Sequence, residues 1–245
     1  MTAPSPHNRH EPLTAIILAG GKGTRLQPYT GNIPKPLVPV GDKPIIEILL
    51  GQLRKAGVGK AYIAVNHLAH LIMAVLGDGA RFDLELEYST EDRELSTVGP
   101  IKLISSLPEH FIVCNGDILT DLDIRSLYEY HLQHGARLTV ATASRAEKVD
   151  YGVLSVGENG RVTDFSEKPV VDFTVSMGIY VFSREVLTHV PENTRFGFDD
   201  LMAALLEAGD PIQTFPFDGY WLDIGRPADY EQAQRDIDRI DGLSS

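Results

Sequence analysis

Short apolar runs alternate with longer stretches whose apolar positions recur at helical spacing, and this alternation holds through the first 145 residues. Thr14–Leu18 reads as a buried strand and Ile45–Ala56 as a helix closed by Gly57. Ala61–Val65 reads as a second strand, Ala69–Leu76 as a helix, and Leu84–Tyr88 and Phe111–Asn115 as further strands. Ile124–His134 then predicts a helix stopped at Gly135, and Leu138–Ala143 another strand. Strands alternating with helices imply an α/β fold, with a mostly parallel mixed sheet covered by helices on both faces. Such sheets bind ligands at the carboxyl ends of their strands, which is where the loop at Gly20 and the residue Asp117 fall.

The pattern changes after Asp150. Gly152–Val156 and Val162–Glu167 flank Gly157-Glu158-Asn159-Gly160, a hairpin signal. Val175–Phe182 reads as a strand, and Arg184–Val190, Phe198–Ala208 and Pro227–Ile240 as helices. No flexible linker separates the halves, so residues 13–245 are expected to form one domain, with 13–145 as its first half and 146–245 as a smaller lid-bearing half on the same sheet. No internal repeat is visible, and no hexapeptide repeat predicts a β-helix tail. Residues 1–12, MTAPSPHNRHEP, are polar and proline-rich and read as a disordered arm without the apolar core of a signal peptide.

Composition narrows the function classes. A chain of 245 residues with 43% hydrophobic and 23% charged residues suits a globular protein with a full core. Its net charge of −12 argues against a general nucleic-acid or anionic-membrane surface, so neither partner is expected. Cys114 is the single cysteine, which excludes an intramolecular disulfide and fits a reducing cytoplasm. No apolar run approaches the roughly 20 residues a membrane span needs. A second copy of the chain is a partner that nothing in the sequence excludes.

The run Ala15 to Pro44, AIILAGGKGTRLQPYTGNIPKPLVPVGDKP, carries the densest chemistry. A strand breaks at once into Gly20, Gly21 and Gly23, with Lys22 and Arg25 interleaved and Lys35 between Pro34 and Pro36. Glycines after a strand let backbone N–H groups approach an anion, and cations neutralise it, so the loop reads as a polyphosphate cradle. It is not a P-loop, which would need glycine at Ile16 and a hydroxyl residue at Gly23. Nor is it a dinucleotide fingerprint starting at Gly21, which would need glycine at Leu26.

From Leu18, Ala19, Gly20, Gly21, Gly23, Thr24 and Arg25 through Thr30, and again from Pro34 to Val40, the stretch resembles the signature of the sugar-1-phosphate nucleotidylyltransferases, closest to the mannose- and heptose-1-phosphate guanylyltransferases. The resemblance implies a Rossmann-like sheet, a nucleotide-binding first half and a sugar-binding second half. It implies Mg²⁺ on Asp117 of Asn115-Gly116-Asp117 and on Asp223 of Trp221-Leu222-Asp223-Ile224-Gly225. It also implies that Lys168 of Glu167-Lys168-Pro169 holds the phosphate of the sugar phosphate, and that Glu167 and Gly152 face the sugar. The implied reaction is attack of a sugar 1-phosphate oxygen on the α-phosphorus of a nucleoside triphosphate, with Arg25, Lys35, Asp117 and Lys168 as its principal residues. His67 and His70, three apart near a helix start, read as surface groups rather than metal ligands, and His131 and His134 as cations late in a helix, where the dipole favours them.

The base-lining segment runs from Glu91 to Pro100 and includes Ser96 and Thr97. Glu91 stands where the thymidylyl- and uridylyl-transferring members carry a base-reading glutamine. A carboxylate only accepts hydrogen bonds, which suits guanine with its adjacent N1–H and N2 amino group. GTP is therefore the expected donor, with CTP next and UTP or dTTP as alternatives. Ser96 replaces a family glycine, and Ser176 replaces an asparagine that touches the sugar, so the acceptor could be a hexose, a heptose or a cyclitol 1-phosphate. A non-catalytic regulator that binds nucleotide sugars is the alternative class. Loss of Lys35, Asp117 or Lys168 would mark it, and all three are present.

Overall fold

Leu13–Leu18 (β1) is LTAIIL, and Ala15, Ile16 and Ile17 are all fully buried, so the strand needs cover on both sides. The computed structural model describes residues 12–237 and supplies that cover with a layer on each face. After β1 come the two-residue strands Pro39–Val40 (β2) and Lys43–Pro44 (β3), helix Ile45–Lys55 (α1) and strand Val58–Val65 (β4). Helix Ala69–Leu76 (α2) and strands Glu85–Thr90 (β5), His110–Asn115 (β6) and Ile118–Thr120 (β7) follow. Helix Ile124–His134 (α3) starts at Asp123, whose Oδ1 accepts from the backbone N–H of Arg125 and Ser126, and it stops at Gly135 with φ 57°.

The second half adds strands Leu138–Lys148 (β8), Gly152–Val156 (β9), Val162–Glu167 (β10) and Val170–Ser183 (β11). It ends in helix Phe198–Ala208 (α4), strands Ile212–Pro216 (β12) and Trp221–Asp223 (β13), and helix Pro227–Asp236 (α5). Seven strands form one sheet in the order β5-β4-β1-β6-β11-β8-β12. β11 runs antiparallel to both β6 and β8, while β1, β4, β5 and β6 are parallel neighbours, as are β8 and β12. The fold is thus the mixed, mostly parallel α/β sheet that the alternation of runs implied.

Successive strand residues point to opposite faces. Ile17, Ile63, Cys114 and Ile179 meet Leu49 and Leu53 of α1, Ile72 of α2 and Leu127 of α3 on one side. On the other, Ile16, Tyr62, Val113 and Phe182 meet Leu201 and Leu205 of α4. A third cluster packs Leu26, Val40, Ile45 and Leu119 against Ile224 and Ala233, so α5 pins the loop after β1 to β7 and the residues following β13.

Several expectations change. Arg184–His189 winds as a 3-10 segment with only Val186 and Leu187 buried, too short an apolar stripe for the α-helix expected over 184–190. β8 and β11 run beyond Ala143 and before Val175, where their side chains are mostly exposed and leave no burial signal. The arm expected over 1–12 falls, except for Pro12, outside the described residues, as do the last three residues expected in the final helix. Among the described residues no helix is long and apolar enough to cross a membrane.

Candidate active site

The parallel pairing of β1 and β6 sets Leu18 beside Asn115, so the glycine loop and Asn115-Gly116-Asp117 leave the sheet side by side. The Gly116 N–H donates to the Leu18 carbonyl at 3.0 Å, and a Cβ on Gly116 would meet that same oxygen at 3.0 Å. A larger residue there would press the two segments apart by a few tenths of an ångström. A second pairing, β7 with β13, brings Asp223 opposite Ile118, and the Ile224 N–H donates to the Asp117 carbonyl at 3.1 Å. Two aspartates 106 positions apart in the chain thereby reach one corner.

Lys35 closes that corner. Gly23, at φ 62°, would place a Cβ 3.1 Å from Lys35 Cβ and 3.1 Å from Thr30 Cγ2, so the glycine loop packs directly on the lysine stem. Thr30 Oγ1 fixes the loop by donating to the Gly23 carbonyl at 2.7 Å. Lys35 Nζ donates to Asp117 Oδ2 and lies 4.0 Å from Asp223 Oδ1. Asp117 Oδ1 is buried with no hydrogen-bond partner. Desolvation and the Asp117 charge push the Asp223 carboxyl above the usual range, against the opposing pull of Lys35 and Arg25. The pair provides two carboxylates, the number a Mg²⁺ site uses beside phosphates and water. Among the described residues no group of three or more His, Cys, Asp and Glu side chains gathers for a metal.

A cleft of about 630 Å³ opens here, and every residue expected on the nucleotide side lines it: Leu18, Ala19, Gly20, Gly21, Gly23, Thr24, Arg25, Lys35, Glu91, Ser96, Thr97 and Asp117. The segment after β5 forms the far wall. Glu91 Oε1 accepts from Asn66 Nδ2 at 2.7 Å and Oε2 accepts from the Leu95 N–H at 2.8 Å, so the carboxylate ties β4 to the wall. Ser96 takes φ 68°, the left-handed conformation that favours glycine. The wall is also held from behind. Phe196 N–H donates to Leu95 O at 3.0 Å, Val98 and Gly99 donate to Phe196 O, and Phe198 N–H donates to Thr97 Oγ1 at 2.9 Å.

Asn66 also lines the cleft and was not singled out from sequence, because an asparagine ending a strand carries no signal of its own. The expected acceptor-side residues do not line the cleft. Gly152 and Glu167 face each other across the β9–β10 hairpin, and Lys168 follows at φ 46°. Ser176 Oγ bonds Tyr180 OH at 3.1 Å and accepts from the Gly178 N–H at 3.2 Å. Asp223 does not line the cleft itself, but its carbonyl accepts from the N–H of cleft residue Gly225 at 2.9 Å.

The histidines divide. His67 is half-buried just before α2 and His70 exposed in its first turn, both outside the cleft lining. His131 was expected as a cation at a helix end, and the structure corrects this. It is fully buried, with Nδ1 2.8 Å from Thr139 Oγ1 and Nε2 3.2 Å from Ser183 Oγ and 3.1 Å from His110 Nδ1. Desolvation, with the nearby His110, pushes its pKa down to about 4, so it is neutral. His134 is exposed and bonds Tyr130 O through Nδ1 at 2.9 Å.

A nucleotidyl transferase family model matches residues 14–239. The chain is 35% identical to a UTP–glucose-1-phosphate uridylyltransferase of Synechocystis over 92% of its own length and 63% of that protein's. It is 32% identical to a mannose-1-phosphate guanylyltransferase of Mycobacterium tuberculosis over 92% of its length and 64% of that protein's. The chain thus spans a little under two thirds of these curated relatives. The solved structure of HddC from Yersinia pseudotuberculosis complexed with GMP-PN superposes with a TM-score of 0.70 at 27% identity, covering 91% of this chain and 98% of that one.

Proposed function

The chain belongs to the nucleotidyl transferase family, and on that premise we propose that it transfers a nucleotidyl group from a nucleoside triphosphate to a sugar 1-phosphate, releasing pyrophosphate. The observation that carries the reading is the Lys35 ammonium set between Asp117 and Asp223 beside the glycine loop. A sugar 1-phosphate oxygen attacks the α-phosphorus, the bond to the β-phosphate's bridging oxygen breaks, and pyrophosphate departs with the electron pair. A phosphate monoester has a second pKa near 6, so the nucleophile is already mostly dianionic at neutral pH and no residue need remove a proton.

The chain's task is therefore to hold two polyanions together. Arg25 suits the leaving pyrophosphate, Lys35 the α-phosphate and the attacking phosphate, and Lys168 with Glu167 the acceptor. Asp117 and Asp223 would hold Mg²⁺, a reading supported by the buried, unpartnered Asp117 Oδ1. When bound, the ion neutralises charge on the phosphate oxygens.

GTP is the donor we favour. Glu91 lines the cleft, and although both its oxygens accept from the protein, each keeps a second lone pair for guanine N1–H and N2. The relative named as a guanylyltransferase and the neighbour complexed with GMP-PN support this base. UTP is the second reading, favoured by the Synechocystis relative. The acceptor is a hexose or heptose 1-phosphate, with a cyclitol 1-phosphate as the alternative because Ser176 is shorter than asparagine. Pyrophosphate release should be assayed with ATP, GTP, CTP, UTP and dTTP against a panel of these phosphates. Mg²⁺-dependent release that is fastest with GTP is the expected result. Turnover in excess chelator would refute the metal site, and tight nucleotide-sugar binding without turnover would turn the reading to a regulator.

A further inference from the structure

β11 loses step with both its neighbours beside the cleft. Ser176 pairs with Thr142 and Tyr180 with Val140, so three residues, Met177 to Ile179, stand opposite Ala141 alone. On the other side the pairing with β6 runs no further than Ile179 opposite Cys114, one position short of Asn115. A bulge of this kind bends a strand and re-aims its residues, and bulges recur next to active sites. Two hydrogen bonds fix it: Ser176 Oγ accepts from the Gly178 N–H at 3.2 Å, and Trp221 Nε1 donates to the Met177 carbonyl at 3.0 Å. Gly178 takes φ 74°, and a Cβ there would lie 2.6 Å from Asn115 Nδ2. The bulge therefore lays bare backbone against the Asn115 amide.

That amide is uncommitted. Asn115 ends β6, is half-buried and lines the cleft. The other amide lining the cleft, Asn66, donates to Glu91, whereas the Asn115 side chain makes no hydrogen bond among the described residues. An amide carries two donor hydrogens and one acceptor oxygen, all of which a ligand can take up. The sheet order separates it from the proposed base reader. Asn66 and Glu91 follow β4 and β5 on one side of β1, while Asn115 and Gly178 lie on β6 and β11 on the other. The amide thus stands across β1 from Glu91, two positions before Asp117 and against the bulge that carries Ser176.

We infer that Asn115 sets acceptor specificity, its amide hydrogen-bonding a ring hydroxyl of a hexose 1-phosphate. The inference rests on the acceptor reading given above, which assigns Ser176 to the sugar. A hydroxyl donates and accepts, as an amide does, whereas an ionised phosphate only accepts and is matched by the cations Lys35 and Lys168. Gly178 is then the positioning residue, since a side chain there would push the amide out of place.

Mannose 1-phosphate and glucose 1-phosphate, each with its monodeoxy forms, test the assignment on the full chain. Pyrophosphate release with the triphosphate used fastest gives the acceptor KM, and calorimetry gives triphosphate affinity. Losing one neutral hydrogen bond to substrate should raise the acceptor KM of Asn115→Ala by about 3–10-fold, with triphosphate affinity unchanged. One monodeoxy sugar should show the same rise with wild type and no further rise with Asn115→Ala, because the contact is already gone. Gly178→Ala keeps Asn115 but displaces its amide, and should lose the same discrimination while circular dichroism shows it folded. Should Gly178→Ala not fold, Asn115→Ala decides alone. An unchanged acceptor KM would overturn the inference. So would equal rejection of every deoxy sugar by wild type and Asn115→Ala, or a matching fall in triphosphate affinity. Turnover of neither hexose phosphate would overturn it too, and if the wider panel above is also inert, the proposed reaction falls with it.

Discussion

Replacing Lys35 by Met should damage both chemistry and stability, and the structure sets the scale of each. The ammonium donates to Asp117 Oδ2 and stands 4.0 Å from Asp223 Oδ1, with side-chain exposures of 12% for the lysine, 21% for Asp117 and 50% for Asp223. Two unit charges 4 Å apart attract by about 4 kcal/mol at an effective dielectric of 20. Water screens half-exposed Asp223, so its share falls to roughly 1 kcal/mol or less. Breaking the better-buried Lys35–Asp117 pair dominates, and a strand of charge left unpaired there costs about 3 kcal/mol. In a domain of this size that lowers the melting temperature by roughly 6–12 °C. The loss has a pH signature. The Asp223 carboxyl is already raised by desolvation and by Asp117, and removing Lys35 raises it further. A carboxyl whose folded pKa lies above its unfolded value favours the folded state at low pH and disfavours it as pH rises through the folded pKa. The gap between wild type and Lys35→Met should therefore be wide at neutral pH and narrow on acidification. Melting both metal-free proteins across that range, and assaying pyrophosphate release at neutral pH, checks the argument. Turnover should fall by on the order of 10²-fold or more, as for loss of one preorganised donor. A gap that does not shrink with acid, or undiminished turnover, would refute the charge arrangement.

Asp117→Asn should lower turnover by about 10²-fold or more without unfolding the chain, measured by pyrophosphate release beside a circular dichroism spectrum; wild-type turnover would remove Asp117 from the reaction. His131, buried and neutral with its pKa near 4 against an ordinary 6.5, should make wild-type stability highest above the unfolded pKa and drain by about 3 kcal/mol as pH falls from 6.5 toward 4. His131→Leu, though less stable at pH 7, should lose that share of the slope in urea melts. Ser96→Gly should stabilise the cleft wall by roughly 1 kcal/mol, because Ser96 holds φ 68°, and a lowered melting temperature would show that its side chain outweighs the strain.

The cleft lining around the glycine loop was legible because its residues lie close together along the chain. Glycines and cations alternate within the single stretch from Gly20 to Lys35, so the anion-cradle reading needed no tertiary contact. The fold class was legible for a similar reason, since the cores of β1, β4 and β6, at 15–18, 61–65 and 111–114, read as unbroken apolar runs. Other features depend on pairings that no local pattern announces. β7 and β13 are three residues each, yet their register is what carries Asp223 to Asp117. His131 shows the opposite failure. Its position at a helix end predicted a cation, but the core polar network with Thr139 and Ser183 outweighs the helix dipole. Glu91 lines the cleft, but its tie to Asn66, 25 positions away along the chain, and to Leu95 follows from no local pattern.

Charge bears on how an acidic chain could serve the proposed reaction, and on what a divalent ion would add. The chain carries −12 overall, yet Lys22, Arg25, Lys35 and Arg93 converge on one cleft. Four carboxylates, Glu91, Asp92, Glu94 and Asp117, line the same cleft, so its own charge is balanced rather than positive. Arg93 is also committed to the Asn193 carbonyl, which leaves fewer cations for phosphate. A balanced cleft does not by itself attract a second polyanion after a first has bound. The glycine loop contributes backbone N–H groups, which bind anions without net charge. The remaining repulsion falls at the corner where Asp117 and Asp223 meet Lys35. Lysine alone gives that corner one positive charge against two negative ones, and a divalent ion on the carboxylates would reverse the sign at the place the proposed reaction assigns to the two phosphates.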